Sequence, residues 1–267
     1  ISSLTTNQVV ALTSALVASL KTSQLAAFST DQLVALESAD FAALTTMQIS
    51  ALTTNQVKSL TTSQVAALTT AQVAGLTTSQ IGVLSTTQLK AMETADFAAL
   101  TTGQITALTT AQISSLTTNQ VIALTTAQAA KLSSAQLASM TAQQVAVLES
   151  ADLVAISTAQ IVGFNSVQIA ALTTEQIQQL STSQISALTT AAIASIETAD
   201  IASLAAIQIA AMQMPSTLYL PIKEGADSRN TYLAHAASLG LQSAFAVKAG
   251  MSAPRDALSE AYRITLG

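Results

Sequence analysis

Leu52-Thr53-Thr54-Asn55-Gln56-Val57-Lys58-Ser59 is followed at once by Leu60-Thr61-Thr62-Ser63-Gln64-Val65-Ala66-Ala67, one eight-residue phrase said twice. Outward from here the phrase continues in both directions without an inserted or deleted residue. It fills Leu4 to Ala211 with 26 octads of consensus Leu-Thr-Thr-x-Gln-(Val/Ile)-x-Ala. A unit this short cannot bury its own apolar face, so it must lean on its neighbours, and an array of such units is a solenoid.

We number the octad from its leucine. The large apolar residues fall at positions one and six, with Ala at eight. A strand facing a core predicts alternation, and this spacing does not alternate. A continuous α-helix fails as well. Eight residues sweep about 800°, so the apolar stripe would advance about 80° per octad and never face one core. The spacing fits a short helical turn restarted in every octad. Thr at two and Gln at five form the S/T-x-x-E/Q capping box, and Leu at one with Val or Ile at six can staple the same turn. Gln stands at position five in 20 of the 26 octads, including Gln8, Gln24, Gln48, Gln104 and Gln176. Such uniformity at an uncharged position points to a buried or stacked polar role. The expectation is a mainly α solenoid of either hand, one turn per octad, with Leu52, Val57, Leu60 and Val65 inside. The competing reading is a β-solenoid with internal Gln ladders. Thr, Val and Ile favour strands, but tight β-corners call for Gly or Asn at fixed places, and none recur.

A longer period lies over the short one. Four octads carry Glu at two and Asp at five: Glu37 and Asp40, Glu93 and Asp96, Glu149 and Asp152, Glu197 and Asp200. They begin 56, 56 and 48 residues apart, which is seven, seven and six octads. A block of about seven octads has been duplicated, and it could match a whole number of coils. Paired carboxylates beside Thr and Gln oxygens make calcium the candidate metal for these eight residues. Two carboxylates alone fall short of its usual six to eight oxygens. The plainer reading makes Ser38, Thr94, Ser150 and Thr198 the helix caps, with Asp two residues on meeting the positive end of the turn.

The octads stop near Met212, which divides the chain into a solenoid over 4–211 and a capping or assembly segment over 212–267. In the latter, Ser216 to Leu220 is a strand candidate between Pro215 and Pro221. Helices are expected over about 231–249 and 254–263. All three tyrosines and all three arginines (Arg229, Arg255, Arg263) lie in it, a composition that suits an interface. The only histidine, His235, reads as a packing residue.

The composition narrows the function classes. Hydrophobic residues make up 50%, charged ones 9% and aromatics 3%, and the net charge is −5. No basic stripe exists to meet nucleic acid or an anionic membrane. Thr, Ser or Gln interrupts every apolar run, so no membrane span is expected. Ile1-Ser2-Ser3 runs straight into the repeat, with no leader among these residues. Cysteine is absent, which excludes disulfides and thiolate metal sites. No nucleophile elbow, phosphate loop or zinc set occurs. The expectation is therefore no enzyme, no catalytic residue and no organic cofactor. The Thr and Ser density leaves O-linked glycosylation open.

Leu100-Thr101-Thr102-Gly103-Gln104-Ile105-Thr106-Ala107 and Leu108-Thr109-Thr110-Ala111-Gln112-Ile113 resemble the "LTTxQIxAL" octad arrays of very large bacterial surface and secreted proteins. The resemblance covers 4–211. It implies an extracellular or cell-surface structural role: a self-associating component of a filament, surface layer or adhesin stalk. The alternative is a binding solenoid that shows a regular Thr face to ice or a surface glycan. The two differ in geometry, since ligand binding needs a broad flat face of outward Thr.

Overall fold

The computed structural model describes residues 1–196 and residue 200. They fall in two compact units, one over Ile1–Gly163 and one beginning at Phe164. The expected boundary near Met212, the C-terminal strand and helices, and His235 lie outside the described residues, as does Glu197.

Among the described residues there are 24 short α-helices and no strand. Each octad supplies one helix of four to six residues. The helix starts where the Thr at position two turns extended, as Thr61 does at φ −74°, ψ 158°, and its hydroxyl accepts from the Gln64 N–H. The predicted capping box is present in octad after octad, from Thr45 with Gln48 to Ser181 with Gln184. The helix ends between positions six and eight, and the next leucine leads the chain on in extended form. Leu60 sits at φ −54°, ψ 143°, immediately before Thr61. Two extended residues therefore make the corner. No left-handed φ is needed at these two residues, which explains why glycine and asparagine do not mark the corners.

The inside is built as expected. Val57 and Val65 are fully buried, and Leu52 and Leu60 are only 4% and 5% exposed. Phe41 and Phe97 fill the same position six. Each such aliphatic side chain contributes about 1.5–3 kcal/mol on burial. An isolated helix this short is unstable in water, so this core and the caps hold it.

Two relations fix the winding. Helices three octads apart lie side by side, as Thr46–Ser50 against Thr70–Gly75 and Thr78–Gly82 against Thr102–Ala107. The glutamines reach further back: Gln48 to the carbonyl of Leu20, Gln80 to that of Leu52, each over 28 residues. Within the first unit, from Thr46–Ser50 onward, a helix thus packs beside the helix three octads before it while its glutamine reaches the end of the one four octads before, like bricks in a wall. One coil of the first unit takes about 28 residues, three and a half octads. The 56-residue spacing of the acidic octads is then two coils, so Asp40, Asp96 and Asp152 return to one edge.

Candidate functional site

The feature that recurs through the first unit is the position-five glutamine. Gln112 illustrates it. Its Oε1 accepts from the Thr109 N–H at 2.7 Å, at the start of its own helix. Its Nε2 donates to the carbonyls of Ile81 and Leu84 at 2.9 and 2.8 Å, at the end of a helix in the preceding coil. Helix ends leave backbone donors and acceptors unpaired, and one amide serves both kinds. Gln112 is 2% exposed and Gln120 and Gln64 are 1% exposed. The buried polar role read from the sequence is thus a clamp between coils.

The clamp needs a coil behind it. Gln8 is exposed, and no hydrogen bond from its Nε2 to a carbonyl occurs, whereas Gln32 already reaches Leu4 at 2.6 Å. Leu4, Leu12 and Leu20 of the first coil are half-buried, while later position-one leucines are buried.

In the acidic octads an aspartate takes the place of that glutamine. Asp40, Asp96, Asp152 and Asp200 are 8%, 6%, 1% and 6% exposed. Glu37, Glu93 and Glu149 are exposed and are themselves the N-caps, with no side-chain hydrogen bond to the helix. This corrects the expectation that Ser38, Thr94 and Ser150 cap these helices. Register with the neighbouring octads prevails, and those residues enter the first turn instead. Asp40, Asp96 and Asp152 do lie in the first turn, as read from the sequence.

The electrostatics of these carboxyls follow from burial. Desolvation pushes the Asp96 carboxyl above the usual carboxylate range, and Glu93 adds to it. Asp152 is pushed up the same way, by burial and then by Glu149, with the Thr126 hydroxyl pulling in the opposite direction. Neither carboxylate oxygen of Asp152 has a hydrogen-bond partner of good geometry. Asp40 is better served, since the Ser14 hydroxyl donates to its Oδ1 at 2.5 Å. Among the described residues, no three His, Cys, Asp or Glu side chains gather at one point. A cation held here would take its remaining ligands from neutral oxygens.

The outer surface is Thr at positions two and three and the variable residue at four. Thr45, Thr46 and Met47 are exposed, as are Thr77, Thr78 and Ser79. The capping threonines are more exposed than a half-buried cap would be, yet their hydroxyls are engaged with the helix N-termini.

Four stretches match the model of the ALTTAQ repeat family: residues 33–70, 66–92, 89–126 and 145–182. Those six letters stand in full at Ala67–Gln72, Ala107–Gln112 and Ala123–Gln128. The chain is a repeat protein, and its ALTTAQ-type octad contains the cap, the clamp and the position-one leucine. No curated protein and no solved structure matches it. Among the described residues, no helix of the array is long and apolar enough to cross a membrane.

Proposed function

We propose that this chain is a structural, self-associating repeat protein of the bacterial exterior, a stiff segment of a filament, surface layer or adhesin stalk, and not an enzyme. The observation that carries the reading is the clamp. In the first unit each later coil is tied to the one before it by the glutamine amides of the consensus octads from Gln32 onward, for example Gln104 to Leu76 at 2.6 Å and Gln136 to Leu108 at 2.8 Å. Such a structure resists bending and shear. A surface hollow among the described residues, lined by Ser166, Val167, Ala170, Ala171 and Ser195, offers two hydroxyls among small apolar side chains.

The alternative, a Thr face for ice or glycan, is less favoured by the winding. With three and a half octads per coil, a position-two Thr has no Thr directly above it in the next coil. Equivalent residues return only after 56 residues, so a flat, closely spaced Thr lattice does not form along the first unit.

Negative-stain imaging of the full chain at rising concentration tests the reading. Filaments or sheets are expected; monodisperse particles at every concentration would sink it. Freezing hysteresis or retention on a glycan array would move the assignment to the alternative. Protease shaving of intact cells, with the repeat released into the medium, is the expected outcome for a surface location.

A further inference from the structure

In the consensus octads from Gln32 onward, Gln Nε2 closes the carbonyl 28 residues back. At Leu12, Leu68 and Leu124 that carbonyl accepts no hydrogen bond. These are the three that lie 28 residues before Asp40, Asp96 and Asp152. Leu68 and Leu124 are 3% and 5% exposed, so solvent does not replace the missing donor at either. A buried carbonyl left this way costs about 1–3 kcal/mol. Aspartate makes matters worse. It is one methylene shorter than glutamine, donates nothing when ionised, and sets negative charge against the negative end of a helix.

A third oxygen recurs at the same sites. The residue 26 before each aspartate is a hydroxyl: Ser14, Thr70 and Thr126. Ser14 bonds Asp40 directly, and Thr126 acts on the Asp152 carboxyl. A fourth comes from the N-cap glutamate three residues before the aspartate, close enough to Asp96 and Asp152 to push their carboxyls up. Everything assembled is oxygen, and the two carboxylates bring about two negative charges. The unpartnered, 1% exposed Asp152 carboxylate is the clearest sign that a positive partner belongs there.

We propose that each of the three acidic octads of the first unit is a calcium site that bolts one coil to the next. In the third, the ligands are the carboxylates of Glu149 and Asp152, the Thr126 hydroxyl and the Leu124 carbonyl. The first two sites repeat this set one and two 56-residue periods earlier. Four groups with bidentate carboxylates supply up to six oxygens, and water at the exposed glutamate completes a hard, flexible shell of the kind calcium takes. The shortened side chain leaves the room that the glutamine amide otherwise fills. The sites then stud one edge of the first unit, one every second coil. With two carboxylates each, affinity belongs in the range of about 10⁻⁴–10⁻³ M that serves extracellular modules.

The test uses the full chain, stripped with chelator and held at concentrations where sedimentation shows a single species, so that binding is read apart from assembly. Calcium is titrated calorimetrically, and thermal unfolding is followed with calcium and with magnesium. Saturable calcium binding is expected, with Tm rising by about 10 °C or more at 10 mM calcium and less in magnesium. Asp40→Gln, Asp96→Gln and Asp152→Gln each restore the consensus clamp, so these variants fold, and each is expected to remove one bound calcium. No saturable binding at millimolar calcium would overturn the proposal. So would unchanged stoichiometry in the triple Gln variant, or a Tm that rises with acid alone and ignores calcium.

Discussion

Gln64 donates from Nε2 to the carbonyl of Leu36 at 3.0 Å, while its Oε1 accepts from the N–H of Thr61 at 3.1 Å. Residues 28 apart are thereby joined through one side chain that also closes a helix start. Polarity and direction both matter in this link. An amide has a donor and an acceptor at its tip, and no other residue of that length has both at neutral pH.

Replacing one mid-array glutamine isolates that role. Gln112→Ala removes the acceptor for Thr109 and leaves the carbonyl of Leu84 unpaired, while that of Ile81 keeps the Leu84 N–H. A loss of about 2–4 kcal/mol is expected, from one capping interaction and one buried unsatisfied group. Gln112→Glu should be as harmful at pH 7, because the carboxylate keeps the acceptor and loses the donor. It should recover part of the loss near pH 4, where the protonated acid donates again. Circular dichroism melts at the two pH values read both effects; a Glu variant as stable as the parent at pH 7 would refute the clamp.

The two threonines of an octad are not equivalent. Thr109 accepts from the Gln112 N–H at 3.2 Å, whereas Thr110 points outward on the same turn. Thr109→Ala should cost about 1 kcal/mol, and Thr110→Ala should stay within about 0.5 kcal/mol of the parent. Denaturant midpoints distinguish them, and equal losses at both positions would contradict the cap assignment.

Much of this was legible in the sequence, because an octad repeated 26 times states its own periodicity. Leu at one, Val at six and the Thr–Gln box fell where the spacing put them. The buried glutamine was readable from its constancy, but its partner was not. Leu36 and Gln64 are joined by a winding of three and a half octads, and that number depends on the corner angles of Leu60 and Thr61, which no local pattern states. The caps of the acidic octads were misread for a related reason. Ser38 is the better capping residue by itself, yet the register imposed by flanking octads makes Glu37 the cap. The 56-residue period carried the clue to the coil length, seven octads making two coils.

Three glycines separate close approach from open space. A Cβ on Gly163 would stand 2.2 Å from the Ser134 carbonyl oxygen, which is backbone and cannot turn aside. On Gly75 it would meet Thr46 Cγ2 at 2.1 Å, a side chain that can rotate. On Gly103 the nearest atom is the Thr101 hydroxyl at 3.9 Å. Gly163→Ala should therefore destabilise by about 1–3 kcal/mol and Gly75→Ala by less. Gly103→Ala, within the helix Thr102–Ala107, should stabilise by about 0.5–1 kcal/mol. Thermal melts of the three variants check the order, and a stable Gly163→Ala would show that the coils can separate freely there.

Acid should tighten the calcium-free protein. Burial raises the Asp96 and Asp152 carboxyls above the usual carboxylate range, so the folded chain holds these protons more strongly than the unfolded one. A raised folded value means that the stabilisation is fully present below the unfolded value of about 3.9 and is lost as pH rises through the folded value. In chelator, stability contributed by these two groups should fall between pH 4 and neutrality, opposite to the usual behaviour of a salt-bridged carboxylate. Asp96→Asn and Asp152→Asn remove the titrating group and keep a donor near the carbonyls of Leu68 and Leu124. The double variant should lose that part of the pH slope and exceed the parent in stability at pH 7. Urea midpoints from pH 3 to 8 decide the matter. A parent whose midpoint climbs with pH as steeply as the double variant's would mean that these carboxyls are held charged by partners within the fold.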